Sequence, residues 1–198
     1  NTICFIILMF GITASLLAQT RIDSLKKAIK AKNNNNYTSL LIELCWEYRY
    51  HNPDSARIYG YEALKLSRQQ KSIKLEVEAL HNLAVSYEAQ GDYKKALANN
   101  LNALILRKQL NDELKTANTL NNIGIAYDEL GNFSLALKYY NQAYKTYKRK
   151  QHIEGIAMVS INLGILFKAH KDYKNVIKYY REANTIYTQL KKPREVAF

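Results

Sequence analysis

Residues 82–97 read NLAVSYEAQGDYKKAL, and the same pattern returns forty residues later as NIGIAYDELGNFSLAL (122–137) and again as NLGILFKAHKDYKNVI (162–177). In each copy a small residue, an aromatic residue and a turn stand at the same offsets. Self-similarity at a fixed period of this length is typical of proteins built from stacked repeats. The sequence therefore predicts a repeat architecture.

The repeated unit predicts two helices joined by a tight turn. Gly91 and Gly131 suit the left-handed backbone position that ends a helix, and the Asp or Asn that follows each glycine is a good N-cap for the next helix. Residues at this cap position lie forty apart and are Asn52, Asp92, Asn132 and Asp172. Lys171 takes the glycine position in the last copy, where a positive φ would cost about 1 kcal/mol.

Small residues on the first helix of each pair predict close helix packing. Ala84, Gly124 and Gly164 share one register position, and we expect the second helix to approach the first helix there. Cys45 falls at this position in the first and least regular pair, where the pattern is shifted by one residue. We interpret Cys45 as a buried packing residue. The second helices carry core tyrosines forty apart, namely Tyr139 and Tyr179, Tyr140 and Tyr180, and Tyr147 and Tyr187.

These repeats resemble those of the tetratricopeptide repeat (TPR) family. Nearly the whole family pattern is present in the repeat that contains residues 122–137, as Leu120, Ile123, Gly124, Tyr127, Gly131, Asn132, Phe133, Ala136, Tyr140 and Ala143. Asn100, Lys171 and Val176 depart from it, and the period of forty exceeds the usual 34 residues. The resemblance implies an all-α fold, a right-handed α-solenoid of antiparallel helix pairs that forms a TPR-like superhelix. Two prolines and seven glycines also favour long helices over a turn-rich β fold.

The repeats predict the organisation of the chain. Four TPR-like repeats occupy about 37–72, 73–112, 113–152 and 153–192. Residues 193–198 match the opening of a fifth repeat, so we expect a longer protein with an effector portion beyond Phe198. Residues 20–36 are predicted to form an N-terminal capping helix and an Asn-rich turn, with a capping box at Thr20–Asp23 as the helix start.

The N-terminal segment predicts export. Residues 3–18 carry no charge, are short for a bilayer span and fit the apolar region of a signal peptide. We therefore interpret residues 1–19 as a signal peptide, with a membrane anchor or a buried helix as alternatives. An initiator Met and a positive leading segment are missing, so we expect the sequence to begin inside the gene product. The predicted localisation is periplasmic; the alternative is a membrane-anchored or cytoplasmic protein.

The TPR resemblance also implies a binding face. Family members commonly bind peptides in a concave groove lined by the first helix of each pair. Mapped position by position, this implies a peptide-binding site of Glu78, His81, Asn82, Val85, Glu88, Asn118, Asn121, Asn122, Ile125, Asp128, Met158, Ile161, Asn162, Ile165 and Lys168. The charges on this face are mixed.

Three asparagines of this face, Asn82, Asn122 and Asn162, lie forty residues apart, and we call them the Asn ladder. Asparagine costs a helix roughly 0.7 kcal/mol relative to alanine, so three in register indicate a use. Each amide offers a donor and an acceptor to an extended peptide backbone. The alternative is a hydrogen bond to a neighbouring helix without any ligand, and the sequence leaves both interpretations open.

The net charge of +12 is compatible with nucleic-acid binding, but its distribution favours another explanation. Cations such as Arg68, Arg107 and Lys148 recur near the C-terminal ends of the second helices, where they complement the helix dipole. We interpret them as residues of solvated turns. The four histidines are dispersed, and the sequence has neither a phosphate-binding glycine loop nor a nucleophile elbow. We therefore predict no metal, no cofactor and no catalytic residue.

Together these features predict a protein- or peptide-binding TPR scaffold that is not an enzyme. In this interpretation the chain is the exported sensory or interaction region of a larger bacterial signalling protein. An intracellular or membrane-anchored, peptide-responsive TPR regulator is the first alternative. Nucleic-acid binding by the basic surface is the less favoured one.

Overall fold

The computed structural model describes residues 19–30 and 36–190, so residues 1–18 of the predicted signal peptide, most of the predicted Asn-rich turn and the start of a fifth repeat lie outside the described residues. These two ranges form nine helices and no strand. Helix α1 spans 19–30. The other helices are α2 (Tyr37–Tyr48), α3 (Pro53–Gln69), α4 (Ile73–Glu88), α5 (Tyr93–Gln109), α6 (Glu113–Glu129), α7 (Phe133–Arg149), α8 (Ile153–Ala169) and α9 (Tyr173–Gln189).

The helices belong to two compact units. Unit 1 ends at Gly91 and contains α1–α4, and unit 2 begins at Asp92 and contains α5–α9. From α2 onward, helices that follow one another within a unit pack together, and α2 also contacts α4 while α6 contacts α8. Alternate helices therefore stack on one another, as in a helical-repeat solenoid. The predicted all-α solenoid fold is confirmed.

Helix α1 packs on the first helix pair. Ile22 and Leu25 are buried together with Leu44 of α2. The predicted helix start is wrong, because Gln19 and Thr20 are already helical and Thr20 therefore cannot be an N-cap. Gln19 instead donates a hydrogen bond from Nε2 to Oδ1 of Asp23, at 3.0 Å, one turn later in the helix.

Side-chain caps begin every helix from α3 to α9. The predicted caps of the second helices are confirmed: Asn52, Asp92, Asn132 and Asp172 each accept the backbone N–H of the third residue that follows. Ser72, Asp112 and His152 cap the first helices α4, α6 and α8 in the same way. Each cap satisfies a first-turn N–H that has no partner within its own helix.

The turns use left-handed backbone conformations. Gly91 and Gly131 both have a φ of 74°, and Lys171 has a φ of 58°, which confirms the predicted conformation at these three turns. The opposite turns, which lead from a second helix to the next first helix, also contain a positive φ, at Lys71 (52°), Asn111 (54°) and Gln151 (53°).

Glycines allow the predicted close approach of paired helices. A Cβ added to Gly124 of α6 would lie 2.5 Å from the Tyr140 ring of α7. A Cβ added to Gly164 of α8 would lie 2.3 Å from the Tyr180 ring of α9. In unit 1 the small residue is instead on the second helix, where a Cβ at Gly60 would lie 2.9 Å from Sγ of Cys45. Large and small residues thus exchange places between the pairs.

Burial distinguishes the tyrosines from the cations. Tyr140 and Tyr147 are fully buried in the core of unit 2, as predicted. Several cations at the ends of second helices form ion pairs, such as Arg68 with Glu76 at 2.8 Å. Arg107 contradicts its interpretation as a solvated turn residue, because only 6% of its surface is exposed.

Candidate functional site

The five predicted site residues of unit 1 lie on α4 at different depths. Glu78, His81 and Glu88 are half-buried, whereas Asn82 and Val85 are buried. Asn82 donates a hydrogen bond from Nδ2 to the backbone oxygen of Ile42 in α2, at 2.9 Å. Its amide therefore joins two neighbouring first helices, which is the structural alternative considered for the Asn ladder.

An aromatic and cationic cluster at the C-terminal end of α2, in the turn after it and on α4 extends this face. The Trp46 ring of α2 stacks against the His81 ring of α4, with ring centres 6.4 Å apart and an interplanar angle of 23°. The Arg49 guanidinium lies 3.6 Å from the centre of the Trp46 ring and 4.6 Å from that of Tyr50. We call these four residues the Trp46 cluster. Trp46 is the chain's one tryptophan, and 39% of its surface is exposed.

Sequence reasoning missed Trp46 and Arg49 because it mapped the binding face only onto the three repeats that keep the forty-residue period. The first pair is shifted by one residue, as Cys45 already indicated. With an offset of 39, Trp46 corresponds to Val85 and Arg49 corresponds to Glu88. The shift was therefore a sufficient signal to place both residues on the predicted face.

The predicted asparagines of α6 have different roles. Asn118 is exposed, and its Oδ1 accepts a hydrogen bond from the Tyr147 hydroxyl of α7. Asn121 is buried, and its Oδ1 accepts a hydrogen bond from Nδ2 of Asn162 in α8, at 2.8 Å. Asn122 is half-buried, and within the described ranges its side chain makes no hydrogen bond. Two members of the Asn ladder thus bridge neighbouring helices, while the amide of Asn122 is available.

The same face of unit 2 is otherwise apolar. Ile125 of α6 and Met158 of α8 lie at the edge of the core and are half-buried. Ile161 is half-buried and packs beside Ala157, while Ile165 has 47% of its surface exposed. Lys168 is exposed one turn further along α8. This surface therefore offers apolar contacts with polar groups at its margins.

Asp128 is the titratable group of this face with a shifted pKa. Burial raises the pKa of Asp128, the neighbouring charge of Glu129 raises it further, and His170 opposes both effects. Because burial disfavours the charged form, this carboxylate would gain from a cationic or hydrogen-bond-donating group placed beside it.

Within the described ranges, no three of the His, Cys, Asp and Glu side chains come together in a way that could hold a metal ion. The thiol of Cys45 is buried, and burial raises its pKa to about 12. A thiol in this state is a packing residue rather than a nucleophile. No helix of the same ranges combines the length and apolar character that a membrane crossing requires.

Comparison with known proteins agrees with the repeat pattern. A profile of the tetratricopeptide repeat family matches residues 75–149. No significant match is found among curated proteins.

Several solved structures have a similar fold. A signal-transduction ATPase with a tetratricopeptide repeat sensor, from Pyrococcus horikoshii, aligns with a TM-score of 0.83 and 18% identity over 91% of this chain and 28% of that chain. For a Rap protein complexed with competence and sporulation factor the TM-score is 0.75, with 16% identity over 84% of this chain and 48% of that chain. BtubC from P. vanneervenii has a TM-score of 0.72 and 21% identity over 88% and 72% of the two chains. The chain thus spans less than half the length of the first two proteins.

Proposed function

We propose that this chain, whose residues 75–149 match the tetratricopeptide repeat profile, binds extended peptide or protein segments on the first-helix face of each of its two units. Repeat solenoids use such surfaces for binding. The observation that carries the proposal is the exposed Trp46, which contacts both Arg49 and His81 on the first-helix side of unit 1. Tryptophan and arginine are enriched among the residues that dominate binding energy.

The face of unit 2 supports the same proposal with different chemistry. The exposed Ile165 offers an apolar contact, and Asn122 offers both a donor and an acceptor to a peptide backbone. We assign Asn82, Asn121 and Asn162 a structural role and not a binding role, because their amides already join neighbouring helices.

We further propose that the chain is a non-catalytic, exported sensory or interaction region of a larger signalling protein. The uncharged residues 3–18 support export, and the similarity to a tetratricopeptide repeat sensor and to a Rap protein complexed with a factor supports a sensory role. Mature protein from the native host that still carries residues 1–18 in soluble form would contradict export.

The binding proposal is tested with peptides selected from a random-sequence library against the full chain. For the tightest selected peptide, Trp46→Ala should weaken affinity by about tenfold or more, since substitution of a central aromatic residue commonly costs upward of 1–2 kcal/mol. For a selected peptide that binds the face of unit 2, Asn122→Ala should weaken affinity by a smaller factor, as expected for one neutral hydrogen bond. Titration calorimetry gives both values.

Tyr173→Ala is the matched control, because Tyr173 is an exposed aromatic residue on the second helix α9, away from the first-helix faces. Its affinity should equal that of the unaltered chain. Equal losses for Trp46→Ala and Tyr173→Ala, or no loss for Trp46→Ala, would contradict binding on these faces.

A further inference from the structure

Arg107 occupies a position where the other repeats bury different side chains. Ser67, Tyr147 and Tyr187 are forty or eighty residues away in the same register, and all three are buried. Arg107 is buried to the same degree, although a charged side chain pays a large desolvation cost there. The same register position thus holds a cationic side chain in this repeat and a neutral side chain in the other three.

A polar pocket of about 250 Å³ adjoins Arg107 within unit 2. It lies between the last turn of α5, the first turn of α6 and the last turn of α7. Its lining consists of Arg107, Lys108, Asn111, Glu113, Thr116, Thr146 and Arg149. None of these residues belongs to the predicted peptide-binding face.

The lining is strongly cationic. Arg107, Lys108 and Arg149 contribute three positive charges and Glu113 contributes one negative charge, which gives the pocket a net charge of +2. Glu113 accepts hydrogen bonds from Arg149 and from Lys150, and these bonds lower its pKa to about 2. Glu113 is therefore ionised at neutral pH and acts as an internal counter-ion for Arg149.

We propose that this pocket binds the phosphate group of a phosphomonoester. A phosphomonoester carries a charge of about −1.5 to −2 at neutral pH and three terminal oxygens, which matches the net charge of +2 of the lining and the donors of Lys108, Arg149 and the Asn111 amide. Guanidinium groups bind phosphate oxygens in a bidentate geometry. A carboxylate, with one charge and two oxygens, would leave part of this donor set unused.

Thr116 and Thr146 supply the two hydroxyl groups of the pocket lining. Thr116 and Thr146 each donate their hydroxyl hydrogen to a backbone oxygen one turn earlier, at 2.7 and 3.0 Å. Because each hydroxyl hydrogen is already donated, each oxygen can only accept a further hydrogen bond, which suits the protonated oxygen of a phosphate monoanion or a bridging water. Glu113 competes with the phosphate for Arg149, so its removal strengthens binding.

The probe is phenyl phosphate, titrated into the full chain by calorimetry at a fixed ionic strength of about 0.1 M. Lys108→Gln and Arg149→Gln should each weaken binding by about tenfold, because each removes one charge-assisted contact. Glu113→Gln should tighten it. Lys138→Gln on α7 is the matched control, because Lys138 is an exposed lysine outside the pocket, and it should leave affinity unchanged.

Two further ligands separate the sources of binding. Inorganic phosphate should bind through the same residues, whereas benzoate, which keeps the ring but replaces phosphate by carboxylate, should bind at least tenfold more weakly. Equal affinity for benzoate and phenyl phosphate would overturn the proposal, as would equal effects of Lys138→Gln and Lys108→Gln or an absence of saturable phenyl phosphate binding. Thermal unfolding of each variant without ligand verifies that the fold is intact.

Discussion

Single residues in the turns keep helix pairs in register. At four turns the residue with positive φ is followed by a residue whose N–H bonds to a backbone oxygen five positions earlier: Ser72 to Ser67 at 3.0 Å, Asn132 to Tyr127 at 2.8 Å, His152 to Tyr147 at 3.0 Å and Asp172 to Phe167 at 3.0 Å. Such a bond satisfies a carbonyl at a helix end and requires a left-handed residue before it. The turn geometry is therefore dictated by hydrogen bonding, whether or not the left-handed residue is glycine.

We expect Lys171→Gly to raise the free energy of unfolding by about 0.5–1 kcal/mol, because glycine adopts the φ of 58° without the steric cost of a Cβ. The measurement is urea unfolding followed by circular dichroism. Lys138→Gly is the control: Lys138 is exposed in the middle of α7, so glycine there should lower stability by about 1 kcal/mol. A lower stability for both variants would show that the φ of Lys171 is not strained.

Some turn and cap residues can be recognised from the sequence, and others cannot. Gly91 and Gly131 identify their turns from sequence because few residues other than glycine favour a positive φ. Lys71 and Gln151 do not, since neither side chain prefers the left-handed region and only the tertiary arrangement of two helix ends holds them there. The histidine cap at His152 is hidden for a similar reason, because its Nδ1 accepts the Gly155 N–H in a role usually filled by Asp, Asn, Ser or Thr.

The sizes of the side chains at two corresponding positions of paired helices vary together from repeat to repeat. Gly124 lies beneath the buried ring of Tyr140, whereas the corresponding positions of the preceding repeat hold Ala84 and Asn100. A larger residue on one helix thus accompanies a smaller residue at the partner position along the sequence. Backbone propensity and packing make opposite demands at such a glycine.

Gly124→Ala separates those demands. Helix propensity alone would stabilise the alanine variant by nearly 1 kcal/mol, but its Cβ would lie 2.5 Å from the Tyr140 ring, so we expect a net destabilisation of about 1–3 kcal/mol. In a Tyr140→Asn background, which reproduces the Ala84 and Asn100 combination, the same substitution should cost much less. A double-mutant cycle measured by urea unfolding gives the coupling; additive effects would contradict the close-packing explanation.

A carboxylate on α9 joins the last three helices. Glu182 accepts hydrogen bonds from the Tyr144 hydroxyl at 2.9 Å, from Nζ of Lys148 at 2.6 Å and from the Ser160 hydroxyl at 2.8 Å. Burial by itself raises the pKa of Glu182, but the bonds from Lys148, Ser160 and Tyr144 outweigh it and hold the pKa below its usual value. Burial and the bond to Glu182 raise the pKa of Tyr144 to about 12.

This network predicts a pH-dependent contribution to stability. A carboxyl group whose pKa is lower in the folded than in the unfolded state stabilises the fold above its unfolded pKa of about 4.3, and this stabilisation is lost as the pH falls through the folded value. We therefore expect Glu182→Gln to cost about 1–3 kcal/mol at pH 7 and progressively less below pH ~4. Urea unfolding at both pH values tests this.

Gln142→Glu is the matched control, because Gln142 holds the corresponding position on α7. The positions of Tyr144 and Ser160 are held by Leu104 and Leu120 one repeat earlier, so the added carboxylate lacks two of the three donors of Glu182 and should not reproduce a stabilisation that disappears in acid. A loss for Glu182→Gln that is the same at pH 7 and in acid would show that packing, not ionisation, supports α9.

The forty-residue period was sufficient to predict the fold of the whole molecule. It was not sufficient to predict the binding face of the first repeat, where the period changes. Caps and turns repeat every forty residues, so the second helices could be placed from sequence alone. The face of α2 could not be mapped with that period, because a one-residue shift moves Trp46 and Arg49 onto positions that forty-residue counting assigns elsewhere.

The role of each predicted site residue depended on its neighbours in space. Asn82, Asn122 and Asn162 are equivalent in sequence, yet one amide bonds to a backbone oxygen, one bonds to the side chain of Asn121 and one is available. No pattern within a single repeat distinguishes them. Arg107 is a similar case, since its burial follows from the packing of α5 and not from its place near a helix end.

Genetic recombination can act on this chain in whole helix pairs, because the helix caps recur at forty-codon intervals. Loss or gain of forty codons in frame, anywhere between Asp92 and Asp172, rejoins a helix to a turn and a cap of the same kind. Misaligned exchange between two copies of the gene therefore yields products whose junctions still satisfy their backbone groups. The number of repeats can therefore change without a change in the sequence of any turn.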